Sequence, residues 1–358
     1  MMRAYNFSAG PSTLPLEVLE EAQRDLLDFA GTGMSVTEIS HRNKAFEAIV
    51  DEGAALLREL MNIPDDYAVL FVQGGASQQF AAVPLNLMHK GKADYIVTGN
   101  FAKKAWQEGK IYGDAACVAS SEDKTYTYIP DLASVKFRED TDYVHICSNN
   151  TIFGTRYAEF PETKAPLVAD MSSEILSREV DVKKFGVIYA GAQKNLAPAG
   201  VTIVIAKRDL IQDPLAICPT MLKWKVQDEN KSLYNTPPCF PIYIATLVLR
   251  RLKKLGGVRE MNAINEYKAG LLYDFIDNSS FYTNSVVKKY RSIMNVPFVT
   301  PSAELDAKFV KEAAQNGLVS LKGHRLVGGM RASIYNAMPV EGVQALIAFM
   351  KKFEKENA

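Results

Sequence analysis

Val187-Ile-Tyr-Ala-Gly-Ala-Gln-Lys-Asn-Leu-Ala-Pro-Ala-Gly200 sets a single lysine, Lys194, in a polar, glycine-bounded turn between two apolar runs. Short apolar runs rich in Val and Ile read as strands of a sheet buried on both faces. In open α/β sheets, ligands bind outside the carboxyl ends of such strands, where turns hold side chains and backbone N–H groups on a rigid frame. An amine placed there can condense with an aldehyde if its position is fixed and part of its population is neutral. Partial desolvation favours both conditions. A turn lysine is more often a solvated surface group, so the reading depends on what else reaches the same edge.

Four more runs of this kind precede Lys194: Ala68-Val-Leu-Phe-Val-Gln73, Tyr95-Ile-Val-Thr98, Tyr143-Val-His-Ile-Cys147 and Pro166-Leu-Val-Ala169. Each is followed by a residue able to point into one crevice. After the first stands Gly74-Gly-Ala-Ser77, leading into a segment, 78–88, that reads as a helix despite Pro84. Small residues at a helix N-terminus make a phosphate cradle, because the backbone approaches closely and both free N–H groups and the helix dipole face the anion. A plain glycine turn explains the segment equally well, and neither GxGxxG nor GxxxxGK[ST] is present there. The second run leads to Phe101, which can stack on a flat ring or simply pack in the core. The third leads to Thr151, a hydroxyl able to donate to a ring substituent. The fourth ends at Asp170, which can pair with a protonated pyridine nitrogen or cap the turn Met171-Ser-Ser173.

Five separated motifs carry a resemblance: Tyr5-Asn-Phe-Ser-Ala-Gly-Pro11, Ser35-Val-Thr-Glu-Ile-Ser-His-Arg42, Ala190-Gly-Ala-Gln-Lys194, Tyr234-Asn-Thr-Pro-Pro238, and residues 322–338 from Lys322-Gly-His-Arg to Asn-Ala-Met338. In that order, and essentially end to end, the chain resembles the phosphoserine aminotransferase family. These are pyridoxal-phosphate enzymes in the class V branch of the aspartate-aminotransferase fold type. The resemblance implies an α/β, type I transferase fold with a large domain, its mostly parallel central sheet covered by helices, and a smaller α+β C-terminal domain.

The resemblance makes Lys194 the Schiff-base lysine, Asp170 the partner of the ring nitrogen and Gln193 a cofactor contact. Ala76 and Ser77 then supply phosphate contacts, Phe101 stacks on the ring, Thr151 bonds its edge, and Asn235 with Thr236 reaches the phosphate from a neighbouring subunit. Arg331 resembles the arginine that holds the α-carboxylate. His41-Arg42 and His324-Arg325 resemble the distal cluster for the second anion of the substrate. Two departures are visible: some members have tryptophan where this chain has Phe101, which removes an indole N–H, and some have Gly-Arg where it has Ala76-Ser77.

The implied reaction makes sense of the charges. Glutamate and phosphoserine each carry an α-carboxylate and a second anion, so a site serving both needs two cationic clusters, and arginine's planar fork suits both. Ping-pong transamination follows: glutamate leaves as 2-oxoglutarate, and 3-phosphohydroxypyruvate then takes the amine and leaves as phosphoserine. A phosphorylated hydroxythreonine fits the same pair of anion sites, as in pyridoxine biosynthesis. Residues borrowed from a neighbour imply a symmetric homodimer.

Composition agrees. Lys plus Arg equals Asp plus Glu at 41 each, so no global field attracts nucleic acid or an anionic membrane. No apolar stretch approaches the roughly 20 residues of a membrane helix, and the N-terminus lacks a signal pattern. Cys117, Cys147, Cys218 and Cys239 lie far apart with no CxxC, as expected of reduced thiols in a cytoplasmic protein without a metal site. Segments 16–30 and 43–61 read as helices, strands and helices then alternate to about residue 210, and a helix over 240–255 ends at Gly256-Gly257. The expected division is an arm, 1–15, packed on the small domain, a large domain, 16–256, and a small one, 257–358. The small one holds a strand over 292–299, a helix over 303–316 closed by Gly317, and a final helix from Val340.

Two rival readings stand beside this one. Another class V aminotransferase, such as one working on alanine and glyoxylate, shares the Asp170–Lys194 logic but has no need of a second cationic cluster. A non-enzymatic nucleotide-binding α/β protein explains Gly74-Gly75 but leaves Lys194 and the arginines idle.

Overall fold

Strand Tyr67–Val72 alternates its side chains between two cores, Tyr67 and Phe71 facing one and Ala68 and Leu70 the other. A strand buried on both faces must be apolar throughout, and this places it inside a sheet covered on each side. The computed structural model describes residues 3–358. Its main sheet has seven strands in the order Tyr67–Val72, Thr202–Lys207, Val187–Gly191, Leu167–Asp170, Tyr143–Cys147, Lys92–Val97, Asp114–Ser120. Thr202–Lys207 runs antiparallel to both neighbours, and every other pair is parallel. The carboxyl ends of the parallel strands therefore open on one edge, and the turn bearing Lys194 lies there.

Helices Leu16–Asp25, Lys44–Met61 and Cys239–Lys254 cover one face through Val18, Phe46, Leu57, Ile242 and Leu249. Helices Gly75–Leu87 and Asn100–Gly109 cover the other, with Phe80, Val83, Ala105 and the buried Trp224. Among the described residues no helix is long and apolar enough to cross a membrane.

A second core gathers Phe281, Tyr282, Phe298, Phe309, Phe349 and Phe353 between helices Ala303–Gln315 and Val340–Asn357 and the antiparallel strands Asn295–Phe298 and Met330–Ser333. The N-terminal arm joins it: Tyr5–Asn6 pairs in parallel with Leu318–Val319, and Phe7 is fully buried there. Residues 1 and 2 of the expected arm lie outside the described residues.

Several boundaries differ from the sequence reading. The first helix stops at Asp25 rather than 30, because Ala30, Gly31 and Gly33 take left-handed conformations and Thr32 Oγ1 donates to Phe29 C=O at 2.7 Å. Gly256 and Gly257 are both left-handed (φ 98° and 83°), but they join two helices directly. The second of these, Gly257–Asn278, serves both cores, with Val258 and Met261 in the first and Ala269, Leu272 and Ile276 in the second. Edge strand Asp114–Ser120 was absent from the sequence reading. Its DAACVAS composition has little intrinsic strand preference, and only pairing with Lys92–Val97 makes it a strand.

Candidate active site

At the carboxyl edge of the sheet a cavity of about 320 Å³ collects residues from seven separate segments. It is lined by Lys194, Gln193, Asp170, Thr151, Phe101, Ala76 and Ser77 from the large unit and by His324 and Arg331 from the small one. Nine of the expected site residues thus meet in one chain.

Asp170 ends strand Leu167–Asp170 and is 4% exposed. Its Oδ1 accepts from Ser172 N–H at 2.9 Å and Ser172 Oγ at 2.6 Å, while Ser172 Oγ itself accepts from Gly191 N–H at 2.9 Å. The turn-capping reading of Asp170 therefore holds through Oδ1, and the residue also lines the cavity. Burial pushes its carboxyl above the usual range, opposed by the Lys194 ammonium and by the Ser172 bonds.

Lys194 Nζ donates to Thr151 Oγ1 at 2.7 Å and lies 5.3 Å from the centre of the Phe101 ring. Burial pushes its ammonium below the ordinary lysine value, against the pull of Asp170. A half-buried lysine whose proton is loosened and a buried carboxylate in the same cavity have the electrostatics expected for an imine-forming amine and an electron-sink partner. The turn is clamped from the arm, where Ser12 N–H donates to Gln193 C=O at 3.0 Å and Ser12 Oγ bonds Lys194 C=O. On its far side Asn195 Nδ2 donates to Ile175 C=O at 3.0 Å and Oδ1 accepts from Asn336 N–H at 3.0 Å.

The expected phosphate cradle falls at a helix start. Gly74 (φ 87°) and Gly75 (φ 67°) turn the chain into helix Gly75–Leu87, whose first N–H groups have no side-chain cap. A Cβ on Gly74 would stand 2.5 Å from Gln78 Cβ, so the turn requires glycine. Phe101 is the second residue of helix Asn100–Gly109 rather than a strand end, which projects its ring into the cavity from the first turn.

On the opposite wall, Arg331 Nη1 reaches Thr151 C=O at 3.4 Å and its Nε is buried without a partner. Burial pushes the guanidinium below its ordinary value. His324 Nδ1 accepts from Leu326 N–H at 3.2 Å, and burial together with Arg331, Arg325 and Lys104 pushes its pKa down. An unpaired buried donor beside a cavity marks a place for an anion.

Five expected residues stay outside this cavity. Arg325 is exposed next to His324, and Arg42 is exposed and does not line the cavity. His41 is half-buried with Nε2 enclosed and unpartnered. Asn235 and Thr236 are exposed, and Gln73 Nε2 donates to Thr236 C=O at 3.2 Å. The sequence reading had not assigned Ser172, Asn100, Lys104 or Gly10 to the site, and all of them line the cavity. Ser172 is signalled by its position two residues after the acid, the spacing of an Asx turn.

A family model described as Aminotransferase class-V matches residues 4–346. The phosphoserine aminotransferase of Bacillus cereus is 58% identical over 359 aligned residues, covering the whole of both chains. That of Listeria monocytogenes is 57% identical over 355 residues, covering 99% of this chain and 97% of the relative. The solved phosphoserine aminotransferase from Bacillus circulans subsp. alkalophilus shares 48% identity and superimposes with a TM-score of 0.98 over 99% of each chain. Motif order, sheet topology and the lysine–carboxylate cavity agree with these likenesses, and the chain belongs to the class V aminotransferase family, pyridoxal-phosphate enzymes of fold type I.

Proposed function

We propose that this chain transfers the amino group of L-glutamate to 3-phosphohydroxypyruvate, giving 2-oxoglutarate and O-phospho-L-serine in serine biosynthesis. The observation that carries the reading is the opposed perturbation of Lys194 and Asp170 in one cavity that Arg331, its Nε buried without a partner, also lines. The residues present fit pyridoxal phosphate: uncapped N–H groups at Gly75–Ser77 for the phosphate, Phe101 for the ring face, Thr151 and Gln193 for its edge, and Asp170 for its nitrogen. When bound, that group supplies an aldehyde that takes up the amine and a protonated ring that draws electrons from the reacting carbon.

The chain's own contributions follow from position. Asp170 would pair with the ring nitrogen of the bound group and keep a proton there. Lys194 Nζ, loosened from its proton by burial, takes the Cα proton of the donor. Arg331 holds the α-carboxylate in a bidentate grip, which fixes the Cα–H direction and lets both half-reactions use one orientation. His324, which lines the cavity, is assigned to the second anion of the substrate, with Arg325 exposed next to it.

Arg42, His41, Asn235 and Thr236 do not line their own cavity, and we assign them to the cavity of a second copy in a symmetric homodimer. Two anion sites also admit 4-phosphohydroxy-L-threonine, a second use in pyridoxine biosynthesis. Four cysteines free of disulfides support a cytoplasmic location.

A half-reaction tests the proposal. Protein loaded with pyridoxal phosphate and mixed with phosphoserine should change its visible absorption and release one equivalent of 3-phosphohydroxypyruvate per site, whereas alanine should do so far more slowly. Borohydride treatment before mixing should leave the reduced adduct on Lys194. No spectral change with phosphoserine, or equal rates with alanine, overturns the reading in favour of another class V substrate.

A further inference from the structure

Three lysines lie on or just after helix Asn100–Gly109, and two are committed elsewhere. Lys103 Nζ sits 2.6 Å from a Glu122 carboxylate oxygen, and Lys110 Nζ lies 3.7 Å from the centre of the Trp106 ring. Lys104 makes no ion pair among the described residues. It stands three residues after Phe101 and four after Asn100, on the same face of the helix, and all three line the cavity. Its Nζ lies 6.0 Å from the centre of the Phe101 ring, and its charge is one of those bearing on His324. An exposed, uncommitted ammonium therefore stands at the rim between the stacking ring and His324.

The other anion-binding groups have their own tasks. The N–H groups at Gly75–Ser77 serve one phosphate, and Arg331 lies beside Thr151 near the reacting centre. At the rim, His324 is held toward its neutral form by burial and by the surrounding cations, so it offers an N–H more than a charge. A phosphate dianion arriving there needs a cation, and a γ-carboxylate carries half the charge. Attraction to a point charge scales with ligand charge, and an ammonium has none of the planar geometry that favours carboxylate.

We propose that Lys104 determines specificity at the distal end of the cavity, ranking phosphorylated amino acids above those ending in a carboxylate. The inference rests on the transaminase reading above and extends it to a residue outside the expected clusters.

The test compares Lys104→Gln and Lys104→Arg with the parent, all as cofactor-loaded enzyme. Lys104→Gln should lower kcat/KM for phosphoserine about tenfold, as expected for one charge-assisted contact, and that for glutamate about twofold. The tenfold gap should narrow as ionic strength rises, because the ammonium is exposed. Lys104→Arg should restore most of the preference. Inorganic phosphate, titrated into the loaded enzyme and read by its visible absorption or as a competitive inhibitor, should bind about tenfold more weakly to Lys104→Gln.

Equal losses for phosphoserine and glutamate, an unchanged phosphate affinity, or a matching loss of cofactor affinity would each overturn the assignment. A parent enzyme inert toward phosphoserine instead defeats the proposed activity. In that case phosphate titration still judges Lys104, and a parent that binds no phosphate overturns the assignment as well.

Discussion

Asp170 sits where burial disfavours a charge. Its folded-state carboxyl is raised above the value in an unfolded chain, so the folded protein holds that proton more tightly. The stability this gives is present below the unfolded value near 3.8 and is lost as pH rises through the folded one, so the ionised carboxylate costs stability at neutral pH. Asp170→Asn keeps an oxygen to accept from Ser172 and removes the buried charge. Without cofactor, the variant should melt at or above the parent temperature at pH 7, read by calorimetry, while turnover falls on the order of 10–100-fold for loss of a charge-assisted bond. A lower melting point with unchanged turnover would show that the carboxylate is structural. Activity should also have an acid limb: as pH falls, Asp170 gains a proton and Lys194 becomes fully charged, and both changes remove the reactive forms.

Among the elements, helix Gly75–Leu87 depends most on a single residue at its start. Gly74 sits at φ 87°, where any Cβ is strained and would also meet the Gln78 side chain. Gly74→Ala should cost about 1–2 kcal/mol in a denaturant titration and should weaken pyridoxal phosphate binding through the displaced N–H groups. Unaltered cofactor affinity would remove the cradle from the argument. Elsewhere in this helix Pro84 is accommodated within the turn-to-turn ladder, and Met88 N–H still bonds Pro84 C=O at 2.9 Å. Helix Gly257–Asn278 does a different job. Its Lys268 is fully buried, and Nζ donates to Ile334, Tyr335 and Met338 C=O at 3.1, 2.9 and 2.9 Å. Burial pushes the ammonium down to about 7, yet three N–H bonds need three protons, so the geometry favours the charged form. Lys268→Met should leave those carbonyls unsatisfied and cost about 3 kcal/mol, measured as a shifted denaturant midpoint.

Across the whole molecule, a chain of buried amides joins the two cores at the site. Asn149 Nδ2 donates to Asn295 Oδ1 at 2.9 Å, Asn295 Nδ2 to Tyr335 Oη at 3.1 Å, and Tyr335 Oη to Ala9 C=O at 2.8 Å. Asn265 Nδ2 donates to Asn336 Oδ1 at 2.8 Å, which ties the long helix to the turn touching Asn195. Such networks fix the relative position of the parts they join, here Lys194 and Arg331, although Asn265 Oδ1 is left without a partner. The second copy enters through Arg42. If its guanidinium serves the partner's cavity, mixing Lys194→Ala with Arg42→Ala protein under conditions of subunit exchange should restore activity, because a mixed dimer has one cavity with both residues intact. Two inactive proteins that remain inactive after proven exchange would put Arg42 in its own chain's cavity or outside the site altogether.

Local pattern was enough for the strands that bear chemistry. Apolar runs ending in Gly74, Asp170 and the Lys194 turn announce themselves because a doubly buried strand admits almost nothing but Val, Ile, Leu and Ala, and the polar residue that follows marks the edge. Arg331 and His324 were recognisable as motifs, but no spacing rule joins them to a lysine more than a hundred residues earlier. Packing of the small unit against the sheet does that. Strand Asp114–Ser120 and the shared helix Gly257–Asn278 escaped for the same reason, since their conformations are set by the neighbours they pair with rather than by their own composition. That Arg42 and Asn235 do not line the cavity is likewise a fact of three dimensions, because sequence order carries no sign of which motifs folding brings together.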